Sequence, residues 1–267
     1  KTKLLLHFDT PATAPLAPAI KFDGTGDYLT APNSVDWQFG TGDFTLEGWF
    51  RHTPSITTTH LIDINDGASG GVNFVLASAG TALELVTSAG TITATVTSPV
   101  INRWYHYAVC RRNGTIRFYM DGVQLGFAVG SGDNKFELIG AGSASGVTIG
   151  KRANSAASLF IGLMKNVRIS RSARYTASFT PTQSGFTSDS DTLLLLKGEE
   201  NNGVTTFVDS SSFARTVTTV GDTKISYEED YRTNVFKASS VTDDAALPSA
   251  VKFDGTGDAL TLADSAD

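Results

Sequence analysis

An all-β fold is what the sequence predicts: a two-sheet antiparallel jelly-roll sandwich, followed by the start of a second similar domain. Three observations carry this. Apolar residues alternate with period two rather than 3.6, the alternating runs are short and separated by Gly-containing turns, and a heptapeptide near the beginning returns near the end. Composition agrees. Of 267 residues, 40% are hydrophobic and only 18% charged, with 26 Gly, so Ser, Thr, Asn and Gly must supply most of the polar surface, a mix suited to strands and turns.

In chain order, the opening Leu4-Leu5-Leu6-His7 reads as a short strand, and residues 1–19 as this strand with a Pro/Ala-rich connector. In Phe44–Arg51, Phe44, Leu46, Gly48 and Phe50 share one face and Thr45, Glu47, Trp49 and Arg51 the other, which predicts a half-buried strand. Trp104–Arg111 and Thr115–Met120 behave alike and are joined through Asn113-Gly114, a strong hairpin signal. Asp121-Gly122 predicts a second hairpin, and Phe44, Leu46, Phe50, Ile116, Phe118 and Met120 are expected to face the core. Further strands are expected at 59–64, 72–77, 82–87, 91–97, 147–150 and 159–169. Trp37, beside Phe39, reads as a core plug, and Cys110 as a buried, inert thiol.

Lys21-Phe22-Asp23-Gly24-Thr25-Gly26-Asp27 recurs unchanged as Lys252–Asp258, and Leu4-Leu5-Leu6 has an echo in Leu193–Leu196. The later copy carries 42 more residues between these landmarks than the first. The repeat therefore predicts a complete sandwich over 20–180, a linker at 181–190 and the first part of a second repeat at 191–267. Because an isolated half-sandwich leaves strand edges bare, the chain is expected to continue beyond Asp267, the alternatives being cover from another subunit or packing on the first domain.

A net charge of −6 offers no basic footprint for nucleic acid, and no apolar run approaches the roughly 18 residues of a spanning helix, so neither nucleic-acid binding nor membrane insertion is expected. One cysteine excludes an internal disulfide and a cysteine-based zinc site.

Phe22–Leu29, Phe44–Phe50, Trp104–Val109, Ile116–Gly122, Val147–Gly150 and Phe160–Ile169 together resemble, in order and spacing, laminin-G-like modules of the concanavalin A-like lectin/glucanase superfamily. The segment Ser170–Pro181 and the repeated leucine opener resemble the tandem form found in virion appendage proteins of bacteriophages. The resemblance implies a jelly roll whose relatives include lectins, glucanases and adhesion modules, so function rests on the sites.

Glucanase relatives use two carboxylates on one strand, about 5 to 5.5 Å apart in retaining enzymes. Glu47, Glu84 and Glu137 each stand alone, and His106 reads as a packed strand histidine, so no catalytic residue and no enzyme activity is expected. Laminin-G-like modules often bind one calcium ion. Asp23, Gly24 and Asp27 offer two carboxylates and a Gly-rich backbone, and the resemblance adds Asn166 as a further ligand. Lys165 stands where relatives carry Asp, so an ammonium paired with Asp23 or Asp27 is expected to replace the ion; the cofactor expectation is none, or one Ca²⁺. A metal-free turn in which the aspartates cap backbone N–H groups is the competing reading. Loops holding Asn65 and Asp66, and Asp133 and Asn134, are the candidate ligand-binding positions. Function is thus expected to be adhesion, glycan binding or assembly, without enzymatic activity, in a tail or fibre at the virion surface. A host surface glycan or other virion proteins would be the partners. A secreted cellular lectin or adhesin and a glucan hydrolase are the alternatives.

Overall fold

The computed structural model describes residues 3–6, 18–52, 58–65, 72–77, 80–87, 90–97, 99–126, 145–153, 159–227 and 238–241. Its contacts divide into two units, Ala14–Tyr231 and a smaller one built from Lys1–Thr13 and Arg232–Asp267. In the smaller unit β1 (Lys3–Leu6) pairs antiparallel with β17 (Ala238–Val241).

The larger unit is a sandwich of two antiparallel sheets. Strands β2 (Ala19–Asp23), β4 (Phe44–His52), β9 (Tyr105–Arg112), β10 (Thr115–Met120), β11 (Val123–Gln124), β13 (Ile161–Ser170), β14 (Thr192–Leu196) and β16 (Lys224–Ser226) make the eight-stranded sheet. Its order is β11-β10-β9-β4-β13-β2-β16, with β14 also on β13. The seven-stranded sheet runs β15 (Thr218–Val220), β3 (Tyr28–Ser34), β12 (Ser145–Ile149), β5 (Thr59–Asn65), β6 (Val72–Ala77), β7 (Ala82–Thr87), β8 (Gly90–Thr95). One 3₁₀ turn, Val35–Trp37, is capped by the Ser34 hydroxyl.

The alternation read from the sequence builds the core. Phe44, Leu46, Phe50, Ile116 and Phe118 are buried between the sheets with Ile62, Ile64, Phe74 and Leu76 from the other side, and Met120 packs against them. Trp37 is buried there as well, and Phe39 stacks on Phe44 at 4.8 Å. Both hairpins form as expected. Asn113-Gly114 and Asp121-Gly122 adopt positive φ at each residue (48° and 76°, 49° and 75°), the left-handed pair that a two-residue antiparallel turn needs.

Three expectations are corrected. Strand β4 is not half-buried: all nine of its residues are buried, and residues 171–190 cross the outer face of the eight-stranded sheet and cover Thr45, Glu47 and Trp49. Residues 181–190 belong to this covering strap, with Phe186 packed on Trp49 and Leu195, and are not a free linker. Residues 191–227 do not stand apart as a second repeat. β14 pairs with the far half of β13, β16 with β2 and β15 with β3, so this segment extends both sheets of the first sandwich. The physical reason is the shortened first copy: its β2, β3 and half of β13 would otherwise present unpaired N–H and C=O groups along an apolar sheet. The repeated heptapeptide at 252–258 lies outside the described residues.

Candidate functional site

The acidic turn joins β2 to β3. Gly24 and Gly26 have φ of 86° and 80°, and a Cβ at Gly24 would overlap Ile161, so glycine is required there on two counts. The aspartates face their own backbone. Asp23 Oδ1 accepts from Thr25 N–H at 2.6 Å, Asp27 Oδ2 from Asp23 N–H at 2.8 Å, and Asp27 Oδ1 from Asp222 N–H at 2.8 Å. Burial pushes the Asp27 carboxyl up, against the two N–H bonds that favour its charge, and neighbouring Asp23 and Asp222 add to the rise.

Asp23, Asp27 and Asp222 bring one carboxylate oxygen each within 4.8 Å of one another. Three oxygens are about half of the six to eight that calcium takes. Among the described residues no other carboxylate, His or Cys joins them, and both Asp27 oxygens already accept N–H bonds. The three carboxylates would supply only part of a calcium shell, the rest of which would fall to backbone carbonyls and water. Asp222 escaped the sequence reading because it was assigned to a second repeat.

The other expected ligands are elsewhere. Ile161 is the β13 residue opposite Asp23, whereas Lys165, four residues or roughly 13 Å farther along the strand, lies opposite Trp49, with its Nζ 4.6 Å from the Trp104 ring centroid. Lys165 thus does not neutralise the acidic turn. Asn166 occupies a β-bulge with φ 52°, and its Oδ1 accepts from Phe186 N–H at 3.3 Å. It fastens the strap and does not reach the turn. Asn65 ends β5 opposite Gly146, while Asp66, Asp133 and Asn134 lie outside the described residues.

Beneath the strap sits a buried ionic cluster. Glu47, fully buried, accepts from Arg168 Nε at 2.8 Å and from the Tyr175 hydroxyl at 2.7 Å, with His106 Nε2 3.5 Å away. Burial works to raise the Glu47 carboxyl; His106, Arg168 and Tyr175 outweigh it and hold it below its ordinary value. Arg174 grips Asp189 through two parallel bonds of 2.9 and 2.8 Å. Tyr175 and Phe179 stack at 3.5 Å, and the edge of His106 meets Phe179 at 5.4 Å. Sealed from solvent and held by cations, Glu47 has no room for a glycosidic oxygen.

The anchored strap creates an open groove beside it. Thr180, Pro181 and Gln183 of the strap face Trp49, Trp104, Lys165, Arg103 and Asp121 across a cavity of about 380 Å³. Asp121 Oδ1 accepts from His106 N–H at 2.9 Å and Oδ2 from Arg103 at 2.8 Å, and the Arg103 guanidinium lies 4.4 Å over the Tyr105 ring. The sequence reading missed this groove. Trp49 on the polar face of its strand was the available signal, but the partner that makes it a wall arrives from residues 180–183. A second hollow of about 460 Å³ on the seven-stranded sheet is lined by Thr30, Asn33, Thr148, Thr216 and Thr218, without an aromatic or charged side chain.

Fold and register thus define a lectin-type β-sandwich. A profile of the concanavalin A-like lectin/glucanases superfamily, in its laminin G form, matches residues 23–178, more than half of the chain, and the protein belongs to this family. No curated protein sequence matches it. Among solved structures it is similar to a Bacteroides ovatus protein to which carbohydrate binding is ascribed, at 19% identity and a TM-score of 0.61. That alignment covers 78% of this chain and 59% of the other. It is also similar to domain 4 of an extracellular arabinanase from Geobacillus stearothermophilus (16% identity, TM-score 0.47, 64% and 76% covered). Laminin α1 domains LG4-5 from mouse give 16% identity, a TM-score of 0.41 and 62% and 47% coverage. At these identities the likeness is one of fold.

Proposed function

We propose that the chain is a non-enzymatic glycan-binding module that holds its ligand in the groove between Trp104 and the strap. The observation that carries this reading is the groove itself: two indoles, an amide, a hydroxyl, a carboxylate and two cations around about 380 Å³. Polyhydroxylated ligands need apolar walls for their C–H faces and a few placed polar groups for orientation, and pockets of roughly 300 to 1,000 Å³ serve small ligands. Glu47, buried and bound by Arg168, is not free to act as one of a hydrolytic carboxylate pair, which favours binding over turnover. The ascribed role of the Bacteroides ovatus relative is consistent with it. We place the module in a bacteriophage virion appendage, at the particle surface, for adhesion to host glycan or for assembly with other virion proteins.

A glycan array followed by calorimetry tests the binding. Trp104→Ala is expected to weaken the best ligand by about tenfold or more, equivalent to about 1.4 kcal/mol; because Trp104 also packs on Trp49, Phe186 and Leu195, affinity is read well below the variant's own melting temperature, and unchanged affinity would remove the groove from the reading. Antibody labelling of purified particles tests the location, and label confined to infected-cell cytoplasm would overturn it.

A further inference from the structure

We infer that the hollow on the seven-stranded sheet is a second saccharide site, which takes uncharged, hydroxyl-rich chains and lies on the opposite face of the sandwich from the Trp104 groove. Strand register builds it. Thr218 of β15 stands opposite Thr30 of β3, which stands opposite Thr148 of β12, so three hydroxyl side chains form one row across three strands, at roughly 4.8 Å per step. Leu29, Ala31, Val147 and Ile149, their neighbours along the chain, are buried in the core, which puts the row on the outer face. Thr216 and Asn33 complete the polar lining, and the volume of about 460 Å³ falls within the range of small-ligand sites.

None of these five side chains has a hydrogen-bond partner among the described residues. For Thr148 this stands out, because it is only 6% exposed and most polar groups of such buried residues are bonded. A ligand that both gives and takes hydrogen bonds would satisfy it. Each hydroxyl is one donor with two acceptor lone pairs, and the Asn33 carboxamide adds two donors and an acceptor, so the lining matches the hydroxyls of a sugar. No charged side chain lines the hollow, so a carboxylate or sulfate gains no counter-charge there. The C–H faces of a sugar meet Ala31, Pro32 and the threonine methyls instead of a ring. Glycine keeps room for the amide: a Cβ at Gly146 would come within 3.0 Å of Asn33 Oδ1. Thr216 and Thr218 belong to the segment that extends the first sandwich, so the site forms only with that segment in place.

NMR titration of the whole chain tests this with three neutral probes, the tetrasaccharides of β-1,4-linked glucose, galactose and mannose. Threonine methyl signals report on the hollow, and the Trp49 and Trp104 indole N–H signals on the groove. At least one probe is expected to move the Thr30, Thr148 and Thr218 methyls along a saturable curve. The double variant Thr30→Val/Thr148→Val keeps the side-chain shape but removes two hydroxyls. Read at the Thr218 methyl, it should weaken binding by about tenfold or more, equivalent to about 1.4 kcal/mol, whereas Thr148→Ser, which keeps its hydroxyl, should bind as the parent does. Raising salt from about 0.01 to about 0.15 M should leave the curve in place; a curve that weakens with salt overturns uncharged recognition. Threonine methyls that stay fixed with all three probes, or a curve unchanged in the double variant, overturn the site. Indole signals that move alone overturn it too while leaving the groove reading intact, and methyl shifts that persist in Trp104→Ala support it whatever becomes of the groove.

Discussion

The acidic turn and the Trp104 groove are two collections of charged residues with opposite fates. In the turn, three aspartates converge, yet the oxygens of Asp23 and Asp27 accept from Thr25, Asp23 and Asp222 N–H groups, so those charges serve to hold the backbone. In the groove, Arg103, Lys165 and Gln183 line a solvent-accessible cavity walled by Trp49 and by the strap. A count of charged residues does not distinguish the two. What distinguishes them is whether the polar atoms are directed into the fold or out of it.

The contrast can be tested from its strongest consequence downward. The groove depends on the buried cluster that fastens the strap, so Glu47→Ala, which leaves Arg168 buried without its carboxylate, should destabilise by about 3–5 kcal/mol. Chemical denaturation measures it, and a near-neutral result would mean the strap is held by apolar packing alone. Asp27→Ala removes the acceptor of the part-buried Asp23 and Asp222 N–H bonds, at a cost of about 0.5–1.5 kcal/mol for each bond. If the turn were instead a ligand site, the loss would appear only in the presence of the ligand.

A carboxylate outside both regions sharpens the rule through pH. Asp63 is fully buried, and burial raises its pKa to about 6, against the bond from Ala153 N–H and the charge of Arg152. Its folded value lies above the ordinary 3.8, so the native state holds the proton more tightly. That contribution is complete below about pH 4 and is lost as the pH rises through about 6. Asp63→Asn should therefore gain stability relative to the parent across that window, read from denaturation midpoints at successive pH values. Asp189 has the opposite sign: its bonds to Arg174 hold the carboxyl well below the usual range, so that contribution is present at neutral pH and fades under acid. The smallest effect expected is that of chelation. Because the Asp23 and Asp27 oxygens already hold backbone N–H groups, EDTA should leave the melting temperature unchanged; a drop of several degrees would show a cation bound only by the folded state.

The sandwich core was legible because strand periodicity is a local property. Phe44, Leu46 and Phe50, or Ile116 and Phe118, lie two residues apart, and a two-residue period assigns them to one face without knowledge of any partner. The hairpin turns were legible for a similar reason, since Asn113-Gly114 and Asp121-Gly122 carry their backbone geometry in two adjacent residues. Lys165 was misplaced because a motif alignment gives its neighbours along the chain, whereas strand register decides that it stands opposite Trp49, four residues beyond the partner of Asp23.

Sequence alone thus determined the all-β class, the faces of β4 and β10 that meet the other sheet, and the positions of the tight turns. Tertiary structure decided which residues cover the second face of β4, which module residues 191–227 join, and which polar side chains remain open to a ligand. The reason is separation along the chain. Glu47 meets Tyr175 across 128 residues, Asp27 meets Asp222 across 195, and Trp49 becomes a groove wall only when residues 180–183 are laid beside it. Hydrogen bonds and cavities of that kind depend on how strands pair in space, and the periodicity of a single strand is silent about its partner.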